Sequence, residues 1–376
     1  MSKLLVLGSY GDITGGTSTV VNSVVPRLKK NFDEILVISP RRRRKYYPDF
    51  VQDNVKVRYQ PCGTIPRVKV SQPFIKIVRV WKQIVKELKE FKPNVTWVND
   101  ESLQISARIA GVKNKVRTIH GLPREAMAPE KEVVNIYERK LSTWILKNLE
   151  REGLKDVSAI TTYSNYLKNK IRSVYNPDAP IYVVPNGVDS DLFKSMPAGK
   201  KNVITYVGIF AIIKGTHTLF RAMKHVHQLY PDWKLWLVGD TFDQRMQYFT
   251  DIYNRGIIWR GHVPHKEVPK ILNQSKIFVM PTWRDGFEIA LMEAVACGVP
   301  SITTEAYERK EIYKSLVTFC ALNDHMDLAR KIIYLIENWE EYYKKAQKAS
   351  EVAREKFSWD RIAKEYLKVF EYVCQD

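Results

Sequence analysis

The chain is poor in cysteine and has no long apolar run, and each absence narrows its class. Four cysteines stand far apart in 376 residues, Cys62, Cys297, Cys320 and Cys374, with no C-x-x-C pair. A zinc site, a redox motif and a disulfide framework are therefore not expected. The histidines are scattered too. His225/His227 and His262/His265 have ligand-like spacing but no cysteine nearby, and no metal site is expected there. No apolar stretch approaches the roughly 20 residues that span a bilayer. The opening MSKLLVLGSYGD is interrupted by Gly8 and Asp12 and has no small-residue cleavage site, so it reads as a first strand rather than a signal peptide. A cytoplasmic protein is expected. Acidic residues are also scarce: 41 Asp and Glu face 60 Lys and Arg, a net charge of +19. This favours anionic partners, whether nucleotide phosphates, nucleic acid or an acidic membrane face, without choosing among them.

What the chain does have is a rhythm. Short apolar runs alternate with amphipathic stretches: KLLVLGS from Lys3, EILVIS from Glu34, VKVRY from Val55, NVTWVN from Asn94, VRTIH from Val116, SAITT from Ser158 and IYVVP from Ile181. Val78, Trp81, Val85, Leu88 and Phe91 form an apolar stripe at helical spacing. KSMPAGKKN, after Phe193, has no periodicity and reads as a linker over 194–202. The rhythm then restarts with VITYVG from Val203, KLWLVG from Lys234, IIWRG from Ile257, KIFVMP from Lys276 and VPSITT from Val299. This predicts an α/β protein of two Rossmann-like, doubly wound domains facing a cleft, 1–193 and 203–356. A helical tail from about Trp339 to Val373 closes the chain. Such sheets bind ligands beyond the carboxyl ends of their strands.

Several local features bear on chemistry. The first strand ends in a turn with Gly15-Gly16 before a helix, without the G-x-G-x-x-G fingerprint. Its backbone N–H groups suit a phosphate, and it is equally a plain strand–helix turn. RRRRK, Arg41–Lys45, reads as a solvated loop or a contact for nucleic acid or anionic lipid. The helix from Ile75 packs on the sheet or lies on a membrane. His120 ends a strand, where a histidine donates a hydrogen bond, moves a proton or is structural. Lys214 precedes a helix and suits a diphosphate, or is a surface lysine. The sharpest segment runs from Pro281 to Pro300. A strand leads through a loop into a helix from about Glu288, whose N-terminus favours an anion, with Asp285 before it and Glu293 one turn inside.

Together these pieces resemble the retaining glycosyltransferases of family 4, which share the GT-B fold. The likeness covers most of the chain and is densest from Val203 to Pro300. Asp285-Gly-Phe-Glu-Ile-Ala-Leu-Met-Glu293 resembles the family's E-x7-E motif. The resemblance implies that Glu293 binds the ribose and Asp285 sits by the donor sugar. It implies that the backbone of Gly286, Phe287, Glu288 and Ile289 holds the diphosphate, and that Lys214 pairs with it. The Gly15-Gly16 turn approaches from the first domain, and His120 lies near the reacting sugar. Val184-Pro-Asn186-Gly187-Val-Asp189 is similar to the interdomain turn, and Phe357-Ser-Trp359 to the start of a last helix, 357–376, that returns to the first domain. Three positions depart from the pattern: Asp285 replaces a glutamate, Glu288 a glycine and Ile209 an arginine, for which Arg284 and Arg260 are the candidate substitutes.

The expected activity is transfer of a hexosyl unit from a nucleotide diphosphate sugar to a hydroxyl, with retention and with no metal or other cofactor. His120, Asp285 and Lys214 are the catalytic candidates. The acceptor class is open: a glycan, a lipid or a protein. A lipid acceptor would place the enzyme at the inner membrane face, in peripheral contact with anionic lipid. A nucleotide-sugar epimerase keeps the fold without an acceptor. A basic nucleic-acid-binding protein is the reading from another class, although no zinc-finger, RNA-recognition or helix-turn-helix signature supports it.

Overall fold

The computed structural model describes residues 2–11, 15–42, 49–62, 81–82, 84–100, 103–122, 147–240, 256–283 and 287–375. The chain divides into two compact units, Met1–Pro185 with Asp360–Asp376, and Asn186–Trp359.

The first unit is built on a sheet of β1 (Lys3–Leu7), β2 (Glu34–Arg42), β3 (Phe50–Gln52), β4 (Val55–Cys62), β5 (Val95–Val98), β6 (Lys115–Thr118), β7 (Ala159–Thr162) and β8 (Ile181–Val183). Their order is β3-β4-β2-β1-β5-β6-β7-β8. Every described pairing is parallel except β3 with β4. Leu4, Leu5, Val6 and Leu7 are wholly buried, as a central parallel strand covered on both faces requires. Helix α1 (Gly16–Leu28) buries Val20, Val21, Val24, Val25 and Leu28, a stripe at 3–4 spacing. Helices α2 (Gln104–Ile109) and α3 (Asn165–Tyr175) follow; Ser164 caps α3 by accepting from the Leu167 N–H.

The second unit carries β9 (Lys201–Val207), β10 (Lys234–Val238), β11 (Ile257–Gly261), β12 (Ser275–Met280), β13 (Ser301–Thr304) and β14 (Thr318–Cys320). All are parallel, in the order β11-β10-β9-β12-β13-β14. Its helices are α4 (Thr216–Leu229), α5 (Val268–Gln274), α6 (Ile289–Ala296), α7 (Tyr307–Tyr313), α8 (His325–Glu337) and α9 (Trp339–Lys356). Helix α6 is buried from Leu291 to Ala296, which its nearly unbroken apolar sequence demands.

The structure alters the sequence reading in several places. The change of unit falls at Pro185–Asn186, ahead of the expected linker at 194–202. The Asn273 amide accepts from the Met196 N–H and donates to the Lys194 carbonyl, which fastens this segment to the second unit. Arg41 and Arg42 complete β2, paired with Pro61 and Cys62, rather than opening a loop; Arg43–Lys45 lie outside the described residues. In the helix over 84–91 the buried positions are Ile84, Glu87 and Phe91, whereas Val85 and Leu88 are half-buried. Val78 and the start of that helix from Ile75 lie outside the described residues. The tail is two helices, α9 and α10 (Trp359–Gln375), broken at Phe357-Ser358. There the Val188 N–H donates to the Phe357 carbonyl, and the Trp359 N–H to the Val188 carbonyl. A Cβ on Gly187 would meet the Trp359 ring at 2.7 Å, so this crossing needs glycine. From Asp360 the chain belongs again to the first unit.

Candidate functional site

In the first unit, three adjacent parallel strands, β1, β5 and β6, release their chains at one end of the sheet. The order reverses between β1 and β5, the switch point where such sheets take ligands. Gly8 follows β1, Asn99 follows β5 and His120 lies just beyond β6. Gly15 has φ 142°, outside the range of L side chains, and no side chain caps the N-terminus of α1. Ser18 and Thr19 both donate their hydroxyls to the Gly15 carbonyl, which fixes the turn. The Asn22 amide bonds both the N–H and the carbonyl of Gly11. His120 Nε2 lies 2.8 Å from Asn99 Oδ1, and Asn99 Nδ2 donates to the Thr17 carbonyl at 2.9 Å. Asn99 therefore joins His120 to the glycine turn. Burial lowers the His120 imidazole to a pKa of about 3; the Arg117 charge acts the same way and Asp100 opposes it. The ring is neutral at ordinary pH.

In the second unit, β9 and β12 are neighbours, and their following loops are bonded together. The Trp283 N–H donates to the Ile213 carbonyl at 2.9 Å. Gly215, in the left-handed region, lies so close to the Pro281 carbonyl that a Cβ would stand 1.8 Å from its oxygen. This contact draws Lys214, at the end of a 3-10 turn, within electrostatic reach of Glu288, the residue that directly precedes α6. Burial lowers the Lys214 pKa, Glu288 acts against that, and Arg309 adds to it. No side chain caps α6, so its first-turn N–H groups keep their capacity for an anion.

Glu288, where the family pattern has glycine, turns into the protein. Its Oε1 lies 3.2 Å from Arg309 Nη1, with both side chains at most 2% exposed. Burial lifts its carboxyl to a pKa of about 7, against the pull of Arg309 and Lys214. Phe287 is buried against Tyr313 and Phe357. Glu293 is buried one turn into α6, and its Oε1 bonds His265 Nε2 at 2.6 Å. The His265 ring lies 5.0 Å from the ring of Phe193. Ile209 is exposed, and Arg260 lies over the Trp236 ring on the outer part of the sheet. Asp285, Gly286 and Arg284 lie outside the described residues.

The structure thus gathers Lys214, Glu288, Ile289 and Glu293 in one unit, and Gly15, Gly16 and His120 in the other. Sequence reasoning missed Asn99, His265 and Arg309. Asn99 alone carried a signal, since it follows a central strand at the switch point. Among the described residues no cluster of His, Cys, Asp or Glu suits a metal ion, and no helix is long and apolar enough to cross a membrane.

Comparison with known proteins agrees with this architecture. The chain is 27% identical over 280 residues to the UDP-Gal:alpha-D-GlcNAc-diphosphoundecaprenol alpha-1,3-galactosyltransferase of Escherichia coli, covering 68% of each chain. Among solved structures, sucrose-phosphate synthase of Thermosynechococcus elongatus superimposes with a TM-score of 0.81 at 16% identity, over 99% of each chain. Anabaena HepE, solved with UDP-glucose, gives a TM-score of 0.74 at 16% identity, over 99% of this chain and all of the other. The family model of Glycosyltransferase Family 4 matches residues 14–192, and that of Glycosyl transferases group 1 matches 188–356. With the two matched segments meeting at the change of unit, the chain belongs to the group 1 glycosyltransferases of the GT-B fold, family 4-like, and is a glycosyltransferase enzyme.

Proposed function

We propose that the enzyme transfers a hexosyl unit from a nucleoside diphosphate sugar to a hydroxyl acceptor, with retention at the anomeric carbon and without a bound metal. The observation that carries this reading is the placing of Lys214 beside the uncapped start of α6, with Glu293 buried in the same helix. Lys214 and the first-turn N–H groups stabilise charge that grows on the leaving diphosphate. Glu293 accepts from the ribose hydroxyls. In the first unit, the Gly15-Gly16 turn serves the same diphosphate and His120 the reacting sugar, and Asp285 completes the donor contacts. None of the described residues stands out as a covalent nucleophile, which favours same-face displacement assisted by the leaving phosphate. UDP-glucose in the HepE structure supports a nucleotide-sugar donor. A lipid-linked sugar is the acceptor class we favour, from the name of the E. coli relative and the net charge of +19, which suits an anionic membrane face.

Thermal shift and calorimetry with UDP-, GDP-, ADP- and TDP-sugars test the donor. At least one stabilises the protein, and Lys214→Ala weakens its binding by about 10- to 100-fold, the worth of one charge-assisted contact. Turnover of that donor survives a chelator and gives a product with the donor's anomeric configuration. No stabilisation by any of the four at millimolar concentration would overturn the reading.

A further inference from the structure

Asn99 has one end that only accepts hydrogen bonds and one that only donates. The Thr17 carbonyl, 2.9 Å from Nδ2, accepts only, so it takes the amide's donating end. Oδ1 is thereby turned to His120 Nε2, 2.8 Å away. A carboxamide oxygen supplies no hydrogen, so the hydrogen in that contact sits on Nε2. The arrangement has little room to reverse. A Cβ on Gly8 would stand 3.2 Å from Asn99 Cβ, and the Asn99 N–H is bonded to the Leu7 carbonyl. A neutral ring with its hydrogen on Nε2 has a bare lone pair on Nδ1. Among the described residues no hydrogen bond to that nitrogen is made.

We infer that Asn99 is a positioning residue which fixes His120 as a hydrogen-bond acceptor at Nδ1, so that His120 takes a substrate hydroxyl's hydrogen and does not donate one. This narrows the chemistry open to a histidine at a strand end, and for the identity of the ligand it rests on the function proposed above. The ligand group is a hydroxyl of the transferred sugar. A fluorine or a methoxy oxygen at that position has no hydrogen to give and would be rejected.

Nitrogen NMR of the full chain with labelled histidine tests this without a ligand. The His120 signals are identified by their loss in His120→Gln. The wild type shows a single neutral form, hydrogen on Nε2, unchanged from about pH 5 to pH 9, where an ordinary histidine titrates. Asn99→Asp still accepts from Nε2 and retains that tautomer, while its charge moves the titration upward. Asn99→Ala loses the preference and mixes the two forms; should that variant not fold, the wild-type and Asn99→Asp spectra still decide. A wild-type hydrogen on Nδ1, or a charged ring at pH 7, would overturn the inference. UDP-glucose is then added. If it raises the melting temperature and leaves Nδ1 unmoved, the inference fails. If neither it nor a GDP-, ADP- or TDP-sugar stabilises the protein, the donor reading is struck, while the tautomer result stands on its own.

Discussion

Glu293 and His265 share one short hydrogen bond, and the bond couples two titrations. The bond to Glu293 raises the His265 pKa above that of a free histidine, and Asp189 adds to the effect. Burial raises Glu293, with the His265 bond holding it back. Both groups bind protons more tightly in the folded than in the unfolded state. Each therefore contributes a stability that falls as pH rises. The His265 part is complete below the unfolded histidine value, roughly 6.5. It is lost as pH climbs through the raised folded value. The His265 side chain is 58% exposed, so solvent screens much of this gain, and its worth is below about 1 kcal/mol. The expected outcome is that His265→Gln lowers the urea midpoint at pH 6 and has less effect at pH 9. A deficit of equal size at both pH values would show that the histidine acts by packing on Phe193 alone. If Glu293 binds ribose, the same variant also weakens nucleotide binding, because the carboxylate loses the partner that orients it.

At the scale of elements, the start of α6 is held by α7. Arg309 donates from Nε to the Thr304 carbonyl at 2.7 Å and from Nη1 to Glu288, and the Tyr313 hydroxyl donates to the Glu288 carbonyl. Removing one member of a buried ion pair costs about 3–5 kcal/mol, whereas removing both costs much less. Arg309→Met is therefore strongly destabilised in urea unfolding. Arg309→Met with Glu288→Gly, which restores the family's glycine, recovers most of the loss and retains nucleotide binding. A double variant no more stable than the single one would mean that the pair is not the anchor. None of this was visible in sequence, because Glu288 and Arg309 belong to different elements and no periodicity links them. Asn99 showed its place after a central strand, but not its partners, which come from α1 and from the chain beyond β6. The strands of two central apolar sheets were legible, since burial on both faces leaves unbroken apolar runs. So was the start of α6, where an apolar helix follows a strand and a loop. The three-residue strands β3 and β14 were not read from the sequence, although β8, equally short, was. Arg41 and Arg42 misled because ladder pairing with β4 outweighs their charge.

At the scale of the whole molecule, the first unit is discontinuous in sequence, and its last piece is a structural part of its core. Trp97, on the central strand β5, is fully buried; its ring lies 4.8 Å from that of Tyr366 and 5.8 Å from that of Phe370 in α10. Phe370 also meets Phe32 edge-on. Ile362, Val369 and Val373 are buried with them. Each large apolar side chain contributes roughly 1.5–3 kcal/mol when buried, an upper estimate against a compact unfolded chain. Five of them together match the roughly 5–15 kcal/mol that holds an ordinary domain. The Arg27–Asp360 pair at 3.0 Å adds little, because Asp360 is largely exposed. A chain ending at Trp359 is therefore expected to lose the cooperative unfolding of the first unit. The second unit, which contains Lys214, α6 and Glu293 without any part of α10 beyond Trp359, retains its own transition. A peptide of residues 360–376 supplied separately restores the lost transition in proportion to its concentration. Calorimetry reads both transitions in one scan. Two unchanged transitions in the shortened chain would show that the first unit folds without α10, and that the burial of Trp97 is secured by the sheet and its other helices alone.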